Sequence, residues 1–237
     1  MIKNIHFFFE QSGTFKNEFK KLGFNAYDYD ILNQFNETDY IIDLYNEIDK
    51  SYMGERSLFD KIDKDDIIFA FFPCIRFEQQ ILLWFRGDAM QQKNWSLEKK
   101  LEKDLSLHNE LSKNYEIITK LVIICLRKNL RLIIENPYSE QHYLSKYWCI
   151  KPKYIDYDRT KTGDYFKKPT QYWFINIEPK NNLVFEGIDL KKKKTISECF
   201  GKDNFQVERS MICKDYAKRF IQEFILDDYY LYGKEDK

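Results

Sequence analysis

Residues that loosen a backbone are scarce in this chain. Of 237 residues only 8 are glycine and 5 are proline, so long flexible linkers are excluded. No internal repeat or low-complexity tract occurs. Five cysteines, at positions 74, 125, 149, 199 and 213, include no CxxC pair, and three histidines, His6, His108 and His142, include no HExxH. Neither pattern builds a metal centre, and an odd cysteine count fits a reducing compartment better than a disulfide framework. No apolar run reaches the ~18 residues that span a bilayer. The opening MIKNIHFFFEQSG lacks the apolar region and small-residue cleavage site of a secretion signal. Neither sign of charge is in excess, with 38 basic and 38 acidic side chains. That balance neither demands nor excludes a polyanion, because a basic patch can coexist with an acidic back face. The expectation is a soluble, cytoplasmic monomer without a membrane or metal partner.

What the chain does have is aromatic mass, 20 Phe and 17 Tyr, and enough length for one substantial core. Asp66 to Phe77, DIIFAFFPCIRF, is the most informative stretch. An apolar run bounded by charge reads as a strand buried on both faces, with Pro73 marking its carboxyl end and Cys74 opening the next loop. In open α/β sheets ligands bind at that end of the strands. A thiol there is either a small buried hydrophobe or a functional group. Arg131 to Pro137, RLIIENP, is a second such strand that delivers Glu135 and Asn136 just before a proline. Two strands of this kind suggest one cleft.

Ile2 to Glu10 reads as a first buried strand, followed by a turn over Gln11, Ser12, Gly13 and Thr14 and a helix over Phe15 to Leu22, closed by Gly23. Phe24 to Ile31 reads as a second strand ending at Asp30, either a turn residue or a carboxylate placed for a ribose. Asp39 to Leu44 is a weak strand or short helix containing Asp43, and Asn46 to Lys64 has no assigned element. Tyr115 to Leu126 is a buried helix, Tyr143 to Trp148 a short one, Lys167 to Ile177 a late strand. Ile212, Tyr216, Phe220 and Phe224 share a face of a closing helix. The fold class is α/β, an open, mostly parallel twisted sheet flanked by helices, in a single domain over residues 1–237.

These pieces, in this order, resemble the DNA cytosine-5 methyltransferases, in particular the short phage-type members. Phe9 to Phe15, FEQSGTF, stands where that family has its FxGxGxF-type turn for S-adenosylmethionine. Asp30 and Asp43 stand for its two acidic positions, Pro73 and Cys74 for its Pro-Cys nucleophile loop, and Glu135 and Asn136 for its Glu-Asn pair. KPTQYW, Lys168 to Trp173, matches a KPT-aromatic strand, and ERSMI, Glu208 to Ile212, a closing segment whose Ser210 lies by the cofactor. Gln11, Phe72 and Ile75 depart from the family pattern, and a single arginine, Arg159, stands where it has two.

The resemblance implies a Rossmann-like methyltransferase fold and double-stranded DNA with a flipped cytosine as substrate. Cys74 would attack the base, Glu135 grip it and Arg159 orient it. Phe9, Gln11, Ser12, Gly13, Thr14, Asp30, Asp43, Pro73 and Ser210 would surround the cofactor. A minimal recognition insertion over 174–205 would use Lys191, Lys192, Lys193 and Lys194 on phosphate, unless that run is simply a solvated loop. The other reading is a catalytically degenerate protein of the same fold serving as a DNA- or protein-binding accessory module. A small-molecule or RNA methyltransferase is a third.

Overall fold

The apolar runs read as strands enter one sheet. A computed structural model describes residues 2–184, 187 and 211–227. Seven strands, β1 (Asn4–Phe8), β2 (Asn25–Asp30), β3 (Tyr40–Ile41), β4 (Ile67–Phe71), β5 (Arg131–Pro137), β6 (Tyr154–Asp156) and β7 (Thr170–Ile175), lie in the order β3-β2-β1-β4-β5-β7-β6. Pairings from β3 to β5 are parallel, whereas β7 runs antiparallel to both β5 and β6. The first five strands thus follow the doubly wound order, which reverses direction between β1 and β4 and opens a crevice beyond their carboxyl ends.

Strand alternation divides the core in two. Phe7, Phe69, Ile133, Tyr172 and Phe174 face one side, packed under α1 (Thr14–Lys21) and, after α2 to α5, under α6 (Lys214–Phe220). Phe8, Ile68, Ala70, Ile134 and Trp173 face the other, under α2 (Leu44–Tyr52), α4 (Leu97–Lys128) and α5 (Tyr143–Tyr147); the four-residue α3 (Leu82–Phe85) lies before α4. Each large apolar side chain buried this way contributes about 1.5–3 kcal/mol.

α4 starts at Ser96, whose hydroxyl accepts from the Lys99 amide at 3.3 Å, and stops at Asn129, a left-handed residue with φ 53°. It is a single helix where the sequence showed only its buried second half, Tyr115 to Leu126. Asp43 caps α2, placing a helix in a segment that sequence reasoning left unassigned. α6 begins at Lys214 and continues as a π turn over Ile221–Ile225. Ile212 therefore precedes the helix, while Tyr216, Phe220 and Phe224 are buried as expected. The strand that leads to Cys74 ends at Phe71, two residues before Pro73. No helix among the described residues is long and apolar enough to cross a membrane.

Candidate active site

The turn after β1 is closed by the chain's own side chains. Phe9 takes a left-handed backbone, φ 63°, donates its amide to Tyr29 O at 2.9 Å, and lays its ring against Phe72 and Tyr45 at 5.3 and 6.0 Å. The Glu10 carboxylate accepts the Phe15 and Lys16 amides at 2.7 and 3.2 Å, occupying the amino end of α1 where such folds commonly hold a phosphate. Ser12 and Thr14 bond to each other at 3.0 Å. Gly13, φ +62°, lies under Glu37: a Cβ there would stand 2.8 Å from Glu37 Oε2 and 3.2 Å from Asn17 Nδ2. Lys16 is buried and holds Asp28 at 3.0 Å, Asp39 at 3.3 Å and the Glu37 carbonyl, which fastens the loop after β2 over α1. Gly13→Ala should therefore cost about 1–2 kcal/mol from backbone conformation alone, more with the Glu37 contact, read as a lowered urea midpoint.

Glu10 also sets a pH dependence. Burial pushes its carboxyl from 4.5 up to about 8, against the two amide donors. The folded chain thus keeps a proton that the unfolded chain has released. Stability should fall as pH rises through that window, with the loss complete above the folded pKa. Urea midpoints measured between the two values should slope downward, and Glu10→Gln should flatten the slope.

Gln11 and Asp30 meet. The Gln11 side chain bonds to the Asp30 carboxylate, which also accepts the Leu32 amide at 2.7 Å, and burial raises the proton affinity of that carboxyl. Gln11 Oε1 is buried without a hydrogen-bond partner, an acceptor left open beside Asp30. Asp43, exposed, accepts the Tyr45 and Asn46 amides at 2.9 and 3.2 Å as the cap of α2.

Cys74 and Glu135 come together at the ends of neighbouring strands, with Glu135 paired in register to Phe71. Asn136 steadies the arrangement. Its buried Nδ2 donates to Phe72 O at 2.8 Å and to Glu135 O at 2.9 Å, tying the loop of Pro73 and Cys74 to the end of β5. Pro73 and Cys74 are half-buried, and the Cys74 carbonyl accepts the Phe77 and Glu78 amides at 2.8 and 3.2 Å in a tight turn. Cys74 Sγ donates to Glu78 Oε1 at 3.1 Å. Burial raises the thiol pKa, the Glu78 and Glu135 charges add to that, and Lys168 opposes it. Burial likewise raises Glu135, opposed by Lys168 and Arg159. One lysine therefore biases both groups.

Arg159 is fully buried. Its Nε donates to Asp164 Oδ2 at 2.9 Å and its guanidinium lies 4.7 Å over the Tyr216 ring, while Nη1 has no hydrogen-bond partner. Burial works against its charge, and Asp164, Tyr216 and Tyr172 together more than offset it, so the proton is held more firmly than usual. Nearby His142 is buried with its pKa lowered to about 4, bonded through Nδ1 to Gln171 at 3.3 Å. Ser210 and Lys191 to Lys194 lie outside the described residues. No group of three or more His, Cys, Asp or Glu among the described residues could hold a metal.

Glu78, Lys168 and Glu10 were missed by sequence reasoning. Glu78 stands four residues after Cys74, the spacing of one helical turn, and Lys168 opens the KPT stretch. Those were the signals available. No protein-family model matches the chain, and no curated protein matches its sequence. What is shown is an α/β protein with a seven-stranded, mostly parallel sheet flanked by helices.

Proposed function

We propose that the chain is an S-adenosylmethionine-dependent cytosine-5 methyltransferase acting on DNA. The observation that carries this reading is the meeting of Cys74 and Glu135, a thiol and a buried carboxyl of raised proton affinity, around Lys168 at the end of β4 and β5. Cytosine needs both: a sulfur to add at carbon 6, and a group to hold the ring nitrogen and exocyclic amine as charge develops at carbon 5. A protonated Glu135 can donate to that ring nitrogen, and burial favours that protonated form against the opposing charges of Lys168 and Arg159.

The residues at the end of β1 and β2 fit a nucleoside cofactor without phosphate. Glu10 fills the amino end of α1, which disfavours a phosphate there, while the open Gln11 Oε1 and the Asp30 carboxylate are acceptors for hydroxyl or ammonium donors. S-adenosylmethionine, when bound, supplies the methyl group. Gln11 and Asp30 would hold it, with Phe9 and Pro73 alongside. Cys74 Sγ adds to carbon 6 as its proton passes to solvent, carbon 5 takes up the methyl group, and carbon 5 then gives its proton to solvent as the carbon–sulfur bond breaks and the thiolate departs.

A specific pair of contacts favours the second reading, an inactive accessory module of the same fold. Gln11 already spans to Asp30, and burial first and the Glu78 charge second favour the protonated Cys74 thiol, which donates to Glu78. Calorimetric titration with S-adenosylhomocysteine separates the two. Binding on the order of micromolar supports the methyltransferase, whereas no heat at millimolar ligand, together with salt-dependent DNA binding, supports the module.

A further inference from the structure

The edge of the sheet beside Lys168 carries a second feature. β6 runs antiparallel to β7 and β7 antiparallel to β5, so β6 ends on the same edge as β5, and β7 begins there. Tyr138 follows β5, Tyr157 follows β6, and Lys167 precedes β7. The Tyr138 amide donates to Pro169 O at 2.8 Å, which joins the first and last of these segments. The rings of Tyr138 and Tyr157 meet edge to face at 5.4 Å, and Tyr157 is 62% exposed. Lys161 and Lys167 are exposed on the same segment. Two of the acids interleaved with them are turned inward: Asp164 is buried on Arg159, and Asp156 is buried and accepts from Thr162 Oγ1 at 3.1 Å. Asp158 is half-buried and accepts the Thr160 amide at 3.2 Å, and Glu140 is exposed beside Tyr138. The surface thus joins an aromatic pair to two exposed lysines, and it borders the thiol and carboxyl through Lys168.

We propose that this edge binds unpaired nucleotides, so that the preferred substrate is a single-stranded nucleic acid rather than a continuous duplex. Bases stack on Tyr157, with Tyr138 bracing its ring, and Lys161 and Lys167 take the phosphates. A stacking ring accepts any base, and it needs a base already free of its partner. The substrate class rests on the nucleic-acid reading of the Cys74 site, but the binding itself does not require methyl transfer.

The test is fluorescence anisotropy of the full chain with a labelled oligodeoxythymidine of roughly a dozen nucleotides, and with the same strand paired to its complement. It is run without cofactor. The single strand should bind more tightly than the duplex. Tyr157→Ala should weaken it about ten-fold, with Tyr157→Phe close to the parent. Replacing Lys161 and Lys167 together by Gln should reduce the salt slope by about 1.4, two contacts at about 0.7 each. Duplex binding equal to or tighter than single-strand binding, or an unchanged Tyr157→Ala, overturns the proposal. Neither result bears on whether S-adenosylhomocysteine binds, so failure here and failure of the methyltransferase reading are told apart.

Discussion

Asp164→Ala should destabilise the protein by about 3–5 kcal/mol, the cost of leaving a buried charge without its partner. Arg159 has no exposed surface, Asp164 is its carboxylate, and Asp164 also accepts the Tyr165 amide at 2.6 Å and the Phe166 amide at 3.3 Å. The Tyr216 ring below the guanidinium offers only a partial substitute for the lost anion. At about 2–4 °C per kcal/mol for a chain of this size, the melting temperature should fall by roughly 10 °C. Lys153→Ala is the control: its exposed pair with Glu178 should be worth less than about 1 kcal/mol. Replacing Arg159 and Asp164 together by Met and Leu should recover much of the loss, because the penalty belongs to the unpaired charge. A melting temperature for Asp164→Ala within a degree or two of the parent would mean that the pair is not holding the 159–164 turn against α6.

The same pair shows where sequence reading stops. Arg159 drew attention as a group to orient a base, and the structure seats it in an internal ion pair with one donor, Nη1, uncommitted. The partners stand five positions apart, and nothing in their spacing states that the intervening turn brings them together. Gly13 is similar. A glycine after a first strand reads as room for a ligand, but the room is taken by Glu37, which local sequence cannot place. The strands were legible because Ile67 to Ala70 and Leu132 to Ile134 are apolar without interruption, as burial on both faces demands. Their order was not. That β7 runs antiparallel between β5 and β6 depends on chain direction, which hydrophobic pattern does not encode. Three-residue β6 is too short to carry a pattern at all. Cys74 and Glu135 were found because each stands beside a proline at a strand end. Glu78 was not, since its reach to the thiol depends on the turn between them.

Glu78→Gln should make Cys74 more reactive. The thiol donates to the Glu78 carboxylate, and three influences raise its pKa: burial, the charge of Glu78 and the charge of Glu135; Lys168 is the opposing cation. A neutral amide in place of Glu78 removes one negative charge and its acceptor, so the thiolate becomes easier to form. Each unit by which the pKa falls gives about ten-fold more thiolate, reduced to roughly three-fold in rate because a less basic sulfur is less nucleophilic. Alkylation by iodoacetamide at mildly alkaline pH, mapped by peptide, should speed up at Cys74 while exposed Cys149 in the same sample stays constant. Lys168→Gln should slow Cys74 alkylation, for the opposite reason. A slower Cys74 in Glu78→Gln would show instead that the carboxylate assists by taking the thiol proton. If the proposed methyltransferase reading holds, a 5-fluorocytosine oligonucleotide with cofactor should trap Glu78→Gln covalently but not Cys74→Ser, because on that reading the sulfur of Cys74 makes the bond and Glu78 only favours its protonated form.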